Sequence, residues 1–314
     1  MKKKLAVLAI GGNAVNKPGE KPTAENMFRN IQVTARFLAG MLKEDYDLVI
    51  THGNGPQVGN LLVQQDLAKE TIPPFPIDVN DAQTQGSLGY AIAQMLGNEL
   101  LKAQHFHPVC PVITQIVVDP NDPAFDHPTK PVGPFYAQEE AQSLHTQKGW
   151  VFVEDAGRGW RRVVPSPKPL DIVEVKAIKA LLEAGILTIA AGGGGIPVER
   201  LEDGTLRGVE AVIDKDRASA LLAAEIQADE LIILTGVDQV CLDFGKPTQR
   251  ALDKITVEEA KRLAAEGHFP KGSMGPKIEA AIDFVRQSGN PCLITSMEQL
   301  ESALHGKTGT VVVP

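Results

Sequence analysis

The sequence predicts an α/β fold: a three-layer αβα sandwich on a mainly parallel central sheet, in two lobes, with a small β-rich inserted subdomain. Three observations predict it. Apolar, β-branched runs at 5–13, 47–56, 185–197 and 230–238 each end abruptly in glycine. Such runs read as strands buried on both faces, the habit of parallel sheets. Stretches of helical periodicity separate them, and the resulting βαβα alternation calls for helices on both faces of one sheet. Between 119 and 169 the pattern changes to proline-dense turns around short strand candidates.

Taken in order, LAVLAI at 5–10 is the first strand, closed by Gly11-Gly12-Asn13. A helix follows over 24–43, where apolar positions recur at helical spacing. The run 47–52 is the second strand, ended by Gly53-Asn54-Gly55, and helices follow over 57–69 and 86–103. The apolar run 108–118 reads as one further strand. In the insertion, WVFVED and WRRVVP are strand candidates, and the Trp and Val content argues against disorder. Alternation resumes with a helix over 171–184, a strand at 186–191, helices over 216–227 and 256–266, and a strand at 230–235. A last helix beginning near Pro276 precedes the strand PCLIT and the terminal run GTVVV. ERLEDGTLRG reads as a hairpin at the junction of two lobes, 1–207 (carrying the 119–169 insertion) and 208–314.

The chain has 314 residues, 43% of them hydrophobic, enough for a large core. Its net charge of −8 argues against nonspecific nucleic-acid binding, which needs a basic surface. Three widely spaced cysteines, Cys110, Cys241 and Cys292, point to a reducing cytoplasm rather than a disulfide framework. His105, His107 and Cys110 cluster in HFHPVC, but no second ligand pair completes a metal site, and a loop entering a strand is the better reading. MKKKLAVLAI resembles a signal-peptide start, yet its apolar run stops too soon and no cleavage motif follows. No segment approaches the roughly 20 apolar residues of a membrane span.

Lys215 and Lys277 carry the chemistry. Each lies where a helix starts, in AVIDKDRAS and GSMGPKIEA, with Asp214 or Asp216 as N-cap for the first and Pro276 suited to the first position of the second. The helix dipole disfavours cations there. Two such violations suggest an anion held jointly by helix N-terminus and lysine, in a chain with glycine turns at its strand ends. Neither loop is a Walker A sequence, and no G-x-G-x-x-G is present. Gly11, Gly12, Asn13, His52, Gly53 and Asn54 follow strands in turns whose N–H groups can form anion nests, although Asn-Gly is also plain turn chemistry. His52 equally suits a core-edge histidine. Lys130 sits on the stiff stretch PTKPVGP, suited to reach over a site from a lid. Arg158, Arg161 and Arg162 read as a solvated hairpin face. Asp216 could hold both helix-start lysines in place.

These residues resemble those of the carbamate kinases of the amino-acid-kinase superfamily over essentially the whole chain. The matching strings are GGNA (11–14), THGNGPQVGN (51–60), TQGSLGY (84–90), PTKPVGPF (128–135) and EDAGRGWRRVVPSPKP (154–169). They continue through GGGGIPV (192–198), GVEAVIDKD (208–216), LTGVD (234–238) and GSMGPKIEAAI (272–282). The resemblance implies reversible phosphoryl transfer between ATP and carbamate, giving ADP and carbamoyl phosphate, with ATP production in arginine breakdown as the usual role. It implies Lys130, Lys215 and Lys277 around the transferred group and Asp216 organising them. Gly11, Gly12, Asn13, Gly53 and Asn54 would hold carbamate. Asp214, Thr235, Gly236, Val237, Phe244, Ser273 and Met274 would line the nucleotide site. It further implies Mg²⁺ carried by nucleotide phosphates, with no protein metal site, and a homodimer. Gln239 and Phe244 depart from the tyrosines common in this segment and bear on the adenine pocket.

The residue inventory suits that reaction. A carbamate oxygen is already anionic, so the task is to position two repelling anions and stabilise the transferring phosphoryl. Another carboxylate acceptor, such as an acylated amino acid, is the second enzymatic reading and predicts a larger pocket beyond Asn13 and Asn54. A non-catalytic nucleotide sensor is the third, and the trio of lysines argues against it.

Overall fold

A computed structural model describes residues 3–17, 19–42, 46–154, 159–270 and 272–314, except the side chain of Asn13. The first third of the chain runs β1 (Lys4–Ile10), α1 (Ala24–Met41), β2 (Tyr46–His52), α2 (Gly55–Ala68) and α3 (Ile77–Lys102). Next come β3 (Val109–Pro111), β4 (Gln115–Val118), β5 (Lys130–Tyr136), α4 (Gln138–Lys148), β6 (Val151–Glu154), β7 (Trp160–Val164) and β8 (Pro169–Ile172). Then follow α5 (Val175–Glu183), β9 (Leu187–Ile189), β10 (Ile196–Arg200), β11 (Leu206–Gly208), α6 (Lys215–Glu225) and β12 (Glu230–Thr235). The chain closes with β13 (Cys241–Leu242), β14 (Arg250–Ala251), β15 (Lys254–Thr256), α7 (Val257–Ala265), α8 (Met274–Ser288), β16 (Cys292–Ser296), α9 (Leu300–Leu304) and β17 (Thr310–Val313).

Eight strands form the main sheet, in the order β15-β17-β16-β12-β1-β2-β9-β3. Its pairs are parallel except β16 with β17, so six strands run together and β15 and β17, at one end of the sheet, run against them. Alternation along each central strand feeds two cores. Val7, Ala9, Val49, Leu231 and Ile233 face one, covered by α5, α6, α7 and α8. Ala6, Leu8, Ile10, Leu48, Ile50, Ile232 and Leu234 face the other, under α1, α3 and α9. This is the expected sandwich. The glycine-ended runs became β1, β2, β9 and β12 because both faces of each are covered, which favours apolar residues throughout.

The expected hairpin at ERLEDGTLRG is β10–β11, within a second sheet ordered β11-β10-β4-β8. The expected boundary at 207/208 falls inside β11. The insertion carries the three-stranded sheet β5-β7-β6, as expected, and one further helix, α4. That helix has Glu139 and Glu140 in its first turn, Lys148 in its last, and Gly149 at φ 67° beyond it.

Four local expectations need correction. The run 108–118 is two strands in different sheets, with Thr114 turning the chain between them through Oγ1 donation to the Val112 carbonyl. The helix expected over 86–103 begins at Ile77; its added turns bury Asn80, Asp81, Thr84 and Gln85, polar residues that break the apolar pattern. The helix expected from 171 begins at Val175, because Asp171 and Ile172 pair with β4. The last helix begins at Met274, placing Pro276 at its third position, where no intrahelical partner for its missing N–H is lost.

Candidate active site

The site is built where β1, β2 and β12 end and α6 and α8 begin. Asp214, in extended conformation, caps α6: its Oδ1 accepts from the N–H groups of Asp216 (2.9 Å) and Arg217 (3.4 Å). Between the two aspartates that could cap, the structure therefore selects Asp214 and frees Asp216 for the lysines. Asp216 Oδ1 accepts from Lys215 Nζ at 2.7 Å, and its Oδ2 accepts from Lys277 Nζ at 3.0 Å. Lys130, the first residue of β5, donates to Asp214 Oδ2 at 2.6 Å. Three ammonium groups from the insertion, α6 and α8 thus meet on two carboxylates two residues apart. A Cβ at Gly53 would lie 3.1 Å from Cδ of Lys215, so glycine here lets the lysine stem pass under the 53–55 turn.

The electrostatics follow from burial. The Asp216 side chain is 3% exposed. Burial opposes its ionisation, but Lys215 and Lys277 outweigh it and hold the carboxyl below the usual range. Asp214 behaves alike: burial works against the charge, and Lys130 overcomes it. Burial lowers the pKa of Lys215; Asp216 opposes that fall and Lys277 adds to it. The cluster is a closely matched group of charges whose ammonium groups a polyanion could take over from the carboxylates.

Two cavities meet at this cluster. One, of about 220 Å³, is lined by Gly12, Gly53, Asn54, Lys130, Gly193 and Asp214, and also by Lys215, Asp216, Ser273 and Lys277. The other, of about 370 Å³, lies on the α1 side and is lined by Gly11, Gly12, Asn30, Thr34, Thr235 and Gly236, again with Lys215 and Lys277. Thus Gly12, Lys215 and Lys277 border both, while Gly11 and the pair Gly53 and Asn54 lie in different cavities. Val237 and Met274 are half-buried and line neither; Met274 packs on the α6–α8 side of the core. Phe244 is 61% exposed, in the loop between β13 and β14. Arg161 and Arg162 serve the insertion: Arg161 donates to the Gly133 carbonyl at 3.1 Å, and Arg162 stacks over the Trp150 ring at 4.1 Å from its centroid. Arg158 and the Asn13 side chain lie outside the described residues.

A second layer beneath the site was not expected. Asn54 Nδ2 donates to Asp81 Oδ1 (2.8 Å) and to Thr84 Oγ1 (2.9 Å), both on α3. Gln85 Nε2 donates to the carbonyls of Thr114 and Gly192, both at 3.0 Å. His52 is fully buried; burial lowers its pKa from 6.5 to about 4, so the ring is neutral. The glycines at 192–193 make room for these groups. A Cβ on Gly192 would strike the His52 ring, and one on Gly193, which has φ 69°, would strike the Asn54 amide. The sequence signal for this layer was polar residues at helical spacing, Asp81, Thr84 and Gln85, on a helix face that is buried.

No group of three or more His, Cys, Asp or Glu side chains among the described residues is arranged to hold a metal. No helix among them is long and apolar enough to cross a membrane.

The amino acid kinase family model matches residues 4–296. The chain is similar to carbamate kinases of Thermococcus kodakarensis (52% identical) and Pyrococcus furiosus (51%), each alignment covering 99% of both chains. Among solved structures, it superposes on carbamate kinase from Giardia lamblia bound to AMP-PNP with a TM-score of 0.91. That match has 42% identity and covers 99% of this chain and 98% of that one. An N-acetylglutamate synthase from Neisseria gonorrhoeae, 15% identical with a TM-score of 0.58, shares the fold alone. By the family match and the full-length identity, this chain belongs to the amino acid kinase family and, within it, to the carbamate kinases.

Proposed function

We propose that this chain catalyses reversible, Mg²⁺-dependent phosphoryl transfer between ATP and carbamate. The convergence of Lys130, Lys215 and Lys277 on Asp214 and Asp216 carries the reading. A carbamate oxygen forms a bond to the γ-phosphorus as the bond to the ADP oxygen breaks. That oxygen is already anionic, so no proton has to move. The lysines and the N–H groups of the glycine turns stabilise the charge spread over the transferring phosphoryl. Gly12, Gly53 and Asn54 hold the acceptor in the smaller cavity, and the full-length similarity to carbamate kinases favours carbamate over an acylated amino acid. The carboxyl-terminal half supplies the nucleotide side through Thr235 and Gly236 in the larger cavity, with Asp214 and Ser273 in the smaller one that meets it; Val237, Phe244 and Met274, expected there too, line neither cavity.

Asp214 and Asp216 are both engaged by lysines, so the donor set fits a metal carried by the nucleotide's phosphates, with these two aspartates lining the cleft it would enter. Bound there, Mg²⁺ would shield phosphate charge. The resemblance supports cytoplasmic ATP formation in arginine breakdown by a homodimer without nucleic-acid partners. Sedimentation at assay concentration should give twice the 33.7 kDa chain mass. The deciding experiment is a coupled assay of ATP formation from carbamoyl phosphate, ADP and Mg²⁺. ATP formation that depends on all three is expected; none at any Mg²⁺ concentration would overturn the reading.

A further inference from the structure

The acceptor differs from acetate in one respect: where acetate has a methyl it carries an amino group, a hydrogen-bond donor. An enzyme selective for it needs an acceptor atom fixed at that place. Asn54 is the one side-chain amide lining the smaller cavity among the described residues. Which end of that amide faces the cleft is decided beneath it. Thr84 spends its hydroxyl proton on the Asp81 carbonyl, at 2.7 Å, so only its lone pairs remain for Asn54. The atom 2.9 Å from Thr84 Oγ1 must therefore be the amide nitrogen. Its second N–H goes to Asp81 Oδ1 at 2.8 Å. Both donors are consumed below the cleft, and the carbonyl Oδ1 is left without a hydrogen bond from any described residue. Gly193, lacking a Cβ, leaves the space in which the amide lies.

We propose that Asn54 is locked as a hydrogen-bond acceptor by Asp81 and Thr84 and reads the amino group of the acceptor substrate. Asn54 touches the substrate; Asp81 and Thr84 are positioning residues. The inference rests on the function proposed above and names how its acceptor is chosen. Burial pushes the Asp81 carboxyl well above the usual range, although the bond from Asn54 opposes this, and its Oδ2 has no partner. Either protonation state leaves Oδ1 able to accept, so the lock holds across neutral pH. A site built to bond an N–H rejects the analogue lacking it, because its own polar atom is then left unpaired.

The test compares carbamoyl phosphate with acetyl phosphate, in which a methyl replaces the amino group, as phosphoryl donors to ADP. The measured quantity is the ratio of their kcat/KM values. The wild-type enzyme should favour carbamoyl phosphate. Asn54→Ser, too short to reach, and Thr84→Val, which frees the amide to turn over, should each cut that ratio at least about tenfold. Thr84→Ser should restore it, and the KM for ADP should move little in all three. Loss of folding in Thr84→Val, seen as a lowered Tm, leaves Asn54→Ser to decide. Indifference of the wild type, or an unchanged ratio in the folded variants, overturns this inference alone. A wild-type enzyme that makes no ATP from carbamoyl phosphate overturns the proposed function and this inference with it.

Discussion

Lys215 occupies the first position of α6, where a cation opposes the helix dipole, and Asp216 offsets that cost. Replacing Lys215 by alanine leaves Asp216 with Lys277 alone and removes a charge aimed at the transferring group. A fall in kcat of about 10²–10³ is expected, the scale of removing one preorganised transition-state donor; near-normal turnover in a folded variant would contradict the assignment. His52 makes a different prediction. Its folded pKa of about 4 lies below the 6.5 of the exposed group, so between those values the unfolded chain binds the extra proton. Stability from this residue is complete above pH 6.5 and is lost as pH falls towards 4, about 2 kcal/mol by pH 5. The Tm of His52→Gln should therefore drop less than that of wild type between pH 7 and pH 5. Lys215 and Lys277 were legible in sequence because cations at helix starts break a local rule, and Asp216 because it neighbours Lys215. The orientation of Asn54 was not, since its partners lie 27 and 30 residues away on α3.

At the scale of elements, α2 and β5 touch backbone to backbone at Gly59 and Gly133. A Cβ on Gly59 would overlap the Gly133 backbone, so Gly59→Ala must push β5, and Lys130 at its start, away from the cleft. We expect a loss of about 1–3 kcal/mol in stability, as for other overpacked contacts, measurable by urea unfolding. A drop in kcat beyond what unfolding explains should accompany it; a variant with unchanged kcat would sever Lys130 from the chemistry. Strands covered on both faces were legible because they are apolar throughout. The first turns of α3 were not, because Asn80, Asp81 and Thr84 are buried for their hydrogen bonds and mimic a solvated loop. The run 108–118 misled for the opposite reason: its apolar residues continue through Thr114, where the chain leaves one sheet for another.

Across the whole molecule, β1 lies between β2 and β12, so the first strand joins the two halves of one sheet. Both cores also draw on both halves: Val7 and Leu231 share one, Leu8 and Ile232 the other. A fragment of residues 1–207 would expose the β12-facing edge of β1 and strip Val7 and Ala9 of their cover. It should show no cooperative urea transition and poor amide dispersion by NMR, whereas the full chain should unfold in one step. The sandwich architecture was readable from the alternation of elements. The order of strands within that sheet was not, because which strands become neighbours depends on contacts across more than 200 residues.

The pairing of Asp214 and Asp216 with lysines has one more consequence. Water, to attack a phosphoryl group, benefits from a base to take its proton; carbamate does not. Asp214 and Asp216 are committed to ammonium groups, and His52 is sealed in the core. On the proposed reading, a stray solvent molecule beside the lysine cluster finds neither aspartate free to take its proton. On that reading, the arrangement proposed to activate transfer also guards the nucleotide against idle hydrolysis.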